Sequence, residues 1–148
     1  MKQAVINQIT KYYNYYLRGA DFSSHAILLL TRIWVGVIFF KSGKTKISSW
    51  DNTLDLFEYH YEIPLLPTQL AAVLATGAEL ICPVLLFAGI ISRVSVLPIF
   101  IMTLIIEFLV IQNSQHFYWM FMMGVIMIFG SGKLSADYFL EKKFKTRI

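Results

Sequence analysis

The chain has 148 residues, of which 57 % are hydrophobic and 15 % charged. Soluble domains run near about 45–50 % apolar and about 25 % charged, and a globule this small buries a limited share of its surface. The composition therefore excludes an ordinary water-soluble domain and leaves lipid to cover the remainder. The formal charge of +4 does not mark a nucleic-acid binder, because most basic residues sit in tails flanking apolar runs, where they set topology beside an anionic leaflet.

Residues 1–21 carry Lys2, Lys11 and Arg18 among Tyr12, Tyr13, Tyr15 and Tyr16. Tyrosine beside basic residues suits the headgroup region, so this segment reads as a short interfacial helix or ordered tail. A cleaved signal peptide is not expected, since the first apolar run begins only at Ala26 and is followed by Lys41, Lys44 and Lys46. That run predicts a first span over about Phe22–Ile47, interrupted by Arg32.

Between Ser48 and Pro67 the chain turns polar. Trp50, Leu54, Phe57 and Tyr61 recur at three- and four-residue steps with Asp51, Asp55, Glu58 and Glu62 between them, the pattern of an amphipathic helix lying on a membrane or bundle surface. Pro64 and Pro67 end it. Further spans are expected at Thr68 to about Ile90, Val94–Ile111 and about Phe117–Gly130, the last short for a crossing. Tight links at Ile91–Arg93 and Gln112–His116 force neighbouring helices antiparallel. The expected fold is all-α: an integral membrane four-helix bundle, up-down-up-down, with an amphipathic interfacial helix between the first and second spans. Residues 22–134 form that domain, between the tail 1–21 and a basic tail 135–148. The positive-inside rule puts both termini in the cytoplasm, because the tails and Arg93 carry the bias.

Three charged side chains interrupt the apolar runs: Arg32, Glu79 and Glu107. Each needs a partner or a cavity, since a charge at mid-bilayer costs about 2.5–3.5 kcal/mol on insertion scales. Arg32 and Glu79 both fall near their helix midpoints, which predicts a bidentate guanidinium–carboxylate pair. Glu107 lies about 6 Å from its midpoint. It is expected to share Arg32, to meet Lys41 or Lys44 reaching inward, or to stay protonated. Two readings of this network stand side by side: a structural knot between helices and a ligand or proton site.

Other residues carry less. His25, His60 and His116 do not fall at one depth, so axial ligation of haem is not expected. His116 beside Phe117, Tyr118 and Trp119 reads as an interface anchor. Met120, Met122, Met123 and Met127 point around a helix and read as packing rather than soft-metal ligands. No metal site is expected. The lone Cys82 can form no intramolecular disulfide. Gly36 and Gly43 share one face of the first helix and allow close backbone approach. Gly130, Gly132 and Lys133 lack the full spacing of a phosphate loop.

The chain resembles the DoxX family of small bacterial membrane proteins. Arg32-Ile-Trp34-Val-Gly36-Val-Ile-Phe39-Phe-Lys41-Ser-Gly43-Lys44 is similar to that family's Arg, Gly, Phe and Gly-x-x-Lys pattern, with either Lys44 or Lys46 in the lysine place. Pro64-Leu-Leu-Pro67, Glu79-Leu-Ile-Cys-Pro-Val-Leu-Leu-Phe-Ala-Gly89 and Gly130-Ser-Gly-Lys-Leu-Ser-Ala-Asp137 add to it, Ser131 standing where the family has proline. The resemblance implies a multi-pass protein of the bacterial inner membrane. Some relatives are subunits of a thiosulfate–quinone oxidoreductase and others belong to redox and thiol-stress assemblies.

The first expectation is thus an accessory subunit of a membrane redox system, an oxidoreductase component at most, that binds a quinone or small apolar ligand or docks a redox partner protein. No cofactor is expected in the chain itself. Arg32, Glu79 and Glu107 would form the site, with Lys44 at its outer mouth and Trp34, Lys41 and His116 as secondary candidates; the catalytic residues are unknown. A small solute or proton carrier is the second expectation, a structural scaffold the third. A homo-oligomer is compatible with each, and no nucleic acid enters any of them.

Overall fold

The computed structural model describes residues 2–61, 66–110 and 112–145, with side chains described from residue 6 to residue 143. Helices dominate throughout. They are α1 (Lys2–Ser48), α2 (Trp50–Leu56) continued by a π-helical turn (Phe57–Tyr61), α3 (Thr68–Ala88), α4 (Ser92–Ser95), α5 (Leu97–Leu109), α6 (Ser114–Phe129) and α7 (Ala136–Lys145). Among the described residues, three stretches are long and apolar enough to cross a membrane: Ile6–Ser48, Thr68–Ala88 and Ser92–Leu109. Helix α6 has 16 residues, short of the roughly 20 that a bilayer core asks of an upright helix.

Local chemistry fixes the element ends. Pro67 caps α3, and Gly89 ends it in the left-handed conformation that glycine adopts without a Cβ penalty. Asn113 starts α6 by accepting the Gln115 amide hydrogen on its side-chain oxygen. Helix α1 runs unbroken through residue 21, so the tyrosine-rich segment and the first apolar run share one axis. Residues Trp50–Tyr61 are helical as the spacing predicts, and buried Phe57 packs on Ala71 and Ala72 near the start of α3. Pro64 lies outside the described residues.

Helix α1 packs mainly on α3 and also meets α6, while α5 touches both α3 and α6. Two glycines set that register. A Cβ on Gly43 would come within 2.9 Å of the Glu79 Cβ and 3.1 Å of its carbonyl carbon, and one on Gly36 would strike the Phe87 ring at 2.5 Å. Val35, Phe39, Cys82, Leu86, Val96, Ile99, Met123 and Ile126 form the apolar core between these helices. Outward-facing Leu30, Trp34, Val73, Ile81, Phe108 and Phe121 are exposed, as a lipid-facing surface would be.

Backbone contact at Gly43 leaves no room for a branched side chain. Gly43→Val should lower resistance to unfolding in detergent by about 1–3 kcal/mol, the usual cost of overpacking. Gly19→Val, where a Cβ meets nothing within 4 Å, should change it little. Equal effects at the two positions in a denaturant titration would contradict the glycine-set register.

Candidate functional site: a buried lysine–glutamate pair beside a cavity

Glu79 points from the middle of α3 toward the last turns of α1. Its partner there is Lys46, whose ammonium donates to both carboxylate oxygens at 2.7 Å and to the Ser42 hydroxyl at 2.9 Å. The side chains of Lys46 and Glu79 are 12 % and 3 % exposed, so the pair is effectively dry. Stripping water from both charges is costly, and the mutual attraction offsets that cost only when further hydrogen bonds hold the geometry. Ser42, one turn before Lys46, supplies such a bond.

The expected pairing of Arg32 with Glu79 does not form. Glu79 lies level with Gly43, whereas Arg32 lies level with Gly89, where a Cβ would fall 2.0 Å from the guanidinium Nη1. Arg32 and Gly43 are about 16 Å apart along the helix axis at 1.5 Å per residue. The arginine is fully buried, and its Nη2 donates to the Leu134 carbonyl at 2.6 Å. Nearby, the Asp137 carboxylate accepts from the amides of Ile91 and Ser92 and from the Ser131 hydroxyl, while its own amide donates to the Gly89 carbonyl. That chain of bonds holds Ile91 at φ +41, a left-handed conformation disfavoured for a β-branched residue. Arg32 therefore ties α1 to the α3–α4 turn and the start of α7, at the far end of the bundle from Glu79.

Glu107 takes neither Arg32 nor a lysine. It accepts the Asn113 amide hydrogen at 2.9 Å, and its Oε2 lies 2.8 Å from His116 Nδ1. The carboxylate is 3 % exposed and the imidazole 13 %. His116, read from the sequence as an interface anchor, is a buried partner. Its ring also stacks at a tilt on Trp119, which meets Phe39 edge to face.

Lys44 and Lys41 are exposed and make no ion pair among the described residues; Trp34, 61 % exposed, faces away from the bundle. Lys46, the residue that sequence reasoning did not place in the site, occupies the position expected of Lys44. Its signal was present: Phe39, Gly43 and Lys46 recur at helical steps, so Lys46 shares the face on which the glycine permits contact.

The Lys46–Glu79 pair borders one cavity of about 210 Å3, lined by Ile38, Phe39, Ser42, Lys46, Tyr61 and Glu79, with Met102, Thr103, Ile106, His116 and Trp119 closing it. Glu107 reaches it only through His116. Burial, and after it the Glu79 charge, push the Tyr61 phenol above its ordinary pKa, so it remains a protonated donor. The cavity offers an ammonium, an imidazole and a phenol beside a carboxylate, between aromatic walls. An apolar groove of about 460 Å3 runs between α3 and α5 and shares Met102 and Ile106 with it.

A family profile described as DoxX matches residues 27–112, more than half of the chain. The chain belongs to the DoxX family. The match covers Arg32, Lys46, Glu79 and Glu107 and ends before His116, so the side-chain partner of Glu107 comes from outside it. No curated protein and no solved structure matches the chain.

If Lys46 and Glu79 neutralise each other, losing one strands the other. Lys46→Met and Glu79→Gln should each cost about 3–5 kcal/mol of stability, and the double variant should recover most of that loss. A double-mutant cycle by thermal unfolding in detergent measures the coupling. Additive losses would show that the two side chains do not interact.

Proposed function

We propose that this DoxX-family protein is a multi-pass inner-membrane subunit of a redox assembly that binds the head group of a quinone in the cavity between the Lys46–Glu79 pair and His116. One observation carries the reading: the buried Lys46–Glu79 pair, His116 and Tyr61 border a single aromatic-walled cavity that opens beside an apolar groove. A head group with two carbonyls needs donors at both ends: the Tyr61 phenol is one, and Lys46 would become the other by exchanging its bond to Ser42 for the ligand. Oxidation of a bound quinol by an electron-accepting partner protein would release two electrons to that partner and two protons, of which Glu79 would accept one. The cavity is smaller than the roughly 300–1,000 Å3 of drug-sized ligand sites, which suits one ring. The shared wall of Met102 and Ile106 gives a tail a route into the groove.

In this reading α6 completes a four-span, up-down-up-down bundle, with α2 at the membrane surface over the cavity and both termini cytoplasmic, as the basic residues favour. The chain supplies binding and protons, and the electron carrier is the quinone or a partner protein.

The pair Lys46→Met/Glu79→Gln is the variant of choice, because it keeps the fold while removing the polar head site. In lipid nanodiscs, a short-tailed benzoquinone should bind the wild type and bind this variant at least tenfold more weakly, while Trp34→Phe on the outward face should bind normally. Equal binding by wild type and double variant would overturn the proposal. Uptake of protons or solute into proteoliposomes that depends on Glu79, without quinone binding, would favour a carrier instead.

A further inference from the structure

Helix α1 has 47 residues and is therefore about 70 Å long, against about 30 Å for a bilayer's hydrocarbon core. Its covered face, with Leu28, Arg32, Val35, Gly36, Phe39 and Gly43, begins only past the first half of the helix. Every residue from Ile6 to Ser24 is exposed, among them Ile9 at 63 % and Tyr16 at 71 %. A straight, uncovered helix with that many large apolar side chains calls for a partner.

The apolar residues of the extension follow a heptad. Ile6, Ile9, Tyr13, Tyr16 and Ala20 recur at alternating steps of three and four, the a and d positions of a left-handed coiled coil. The same register continues through Ser23 to Ile27, Leu30, Trp34 and Val37, all exposed. Polar residues avoid the seam: Asn7, Gln8, Lys11, Asn14, Arg18 and Asp21 occupy b, c and f. The f position, opposite the seam, holds Lys11 and Arg18 in the extension, then His25, Arg32, Phe39 and Lys46 on the bundle side. Past residue 24 the helix thus turns its f face to its own bundle and its a/d face away from it, whereas from Ile6 to Ser24 all its faces are uncovered.

We infer that the a/d face of α1 is the seam of a parallel two-stranded coiled coil with a second copy of this chain. Three features select a second copy. Two chains inserted in one membrane with the same topology present this helix in parallel and in register, which a symmetric dimer requires. The flanking e and g positions, Thr10, Tyr12, Leu17 and Gly19, carry no charge, so identical chains do not repel across the seam. Lys11 and Arg18 lie at f, as far from the partner as the helix allows, and the one base on a seam position of the extension, Lys2, stands at the helix start. This inference rests on α1 alone and stands apart from the quinone reading.

Because Cys82 is the only cysteine, cross-linking offers a clean test. In the full-length chain carrying Cys82→Ala, reconstituted in vesicles at large lipid excess, Tyr13→Cys should form a disulfide dimer at least tenfold faster than Asn14→Cys or Arg18→Cys. Equal rates at all three positions, or no dimer at Tyr13→Cys, would overturn the seam. So would quenching of a fluorophore on Tyr13→Cys by brominated lipids, which would lay the helix on the bilayer surface. A second variant, Ile9→Lys/Tyr16→Lys, should halve the mass seen by native mass spectrometry while leaving helix content unchanged. A mass that stays at two chains would contradict the inference.

Discussion

An ammonium and a carboxylate enclosed between hydrophobic helices cannot be ignored by the rest of the fold. Lys46 and Glu79 are both nearly dry, and each would be intolerable alone. Their meeting requires α1 and α3 to approach closely at one level, which Gly43 allows by bringing its backbone against Glu79. Ser42 completes the ammonium's shell, and Tyr61 from the turn after α2 closes over the same space. The pair therefore links the register of two helices, the docking of α2 and the existence of the cavity.

The bundle separates its polar chemistry into two ends. At one, Arg32 and Asp137 hold backbone: a carbonyl of Leu134, the amides of Ile91 and Ser92, and the strained turn between α3 and α4. Those bonds join chain to chain, while Nε and Nη1 of the Arg32 guanidinium find no hydrogen-bond partner among the described residues. At the other, Lys46, Glu79, His116 and Tyr61 face a shared space rather than the backbone. One end of the bundle therefore ties backbone through Arg32 and Asp137, and the other lines a cavity with Lys46 and Glu79.

Much of this was legible before any coordinates. Hydropathy located the helices, because apolar runs bounded by Gly89, Pro67 and the Gln112–His116 link leave few alternatives. The buried charges were also identified correctly as Arg32, Glu79 and Glu107. Their partners were not, and the reason is geometric. Matching helix midpoints assumes that spans start and stop at the same level, whereas α1 continues far beyond the bundle and its contact with α3 is set by glycine positions. Lys46 was only the alternative to Lys44 for the family's lysine place and was not put in the site. Three lysines follow the apolar run within six residues, and hydropathy does not say which one turns inward. His116 looked like a headgroup anchor because nothing in the sequence reveals that the short link folds back to bring it onto Glu107, nine residues earlier.

The account stands on the contact between Lys46 and Glu79 inside a lipid environment. Solid-state NMR on bilayer-embedded protein, with nitrogen-15 at lysine Nζ and carbon-13 at glutamate Cδ, reads that contact through their dipolar coupling. The geometry, with Nζ 2.7 Å from the carboxylate oxygen, predicts a strong coupling that disappears in Lys46→Met. A Glu79 carboxylate coupled instead to an arginine guanidinium, or to no nitrogen within the roughly 4 Å reach of an ion pair, would contradict it.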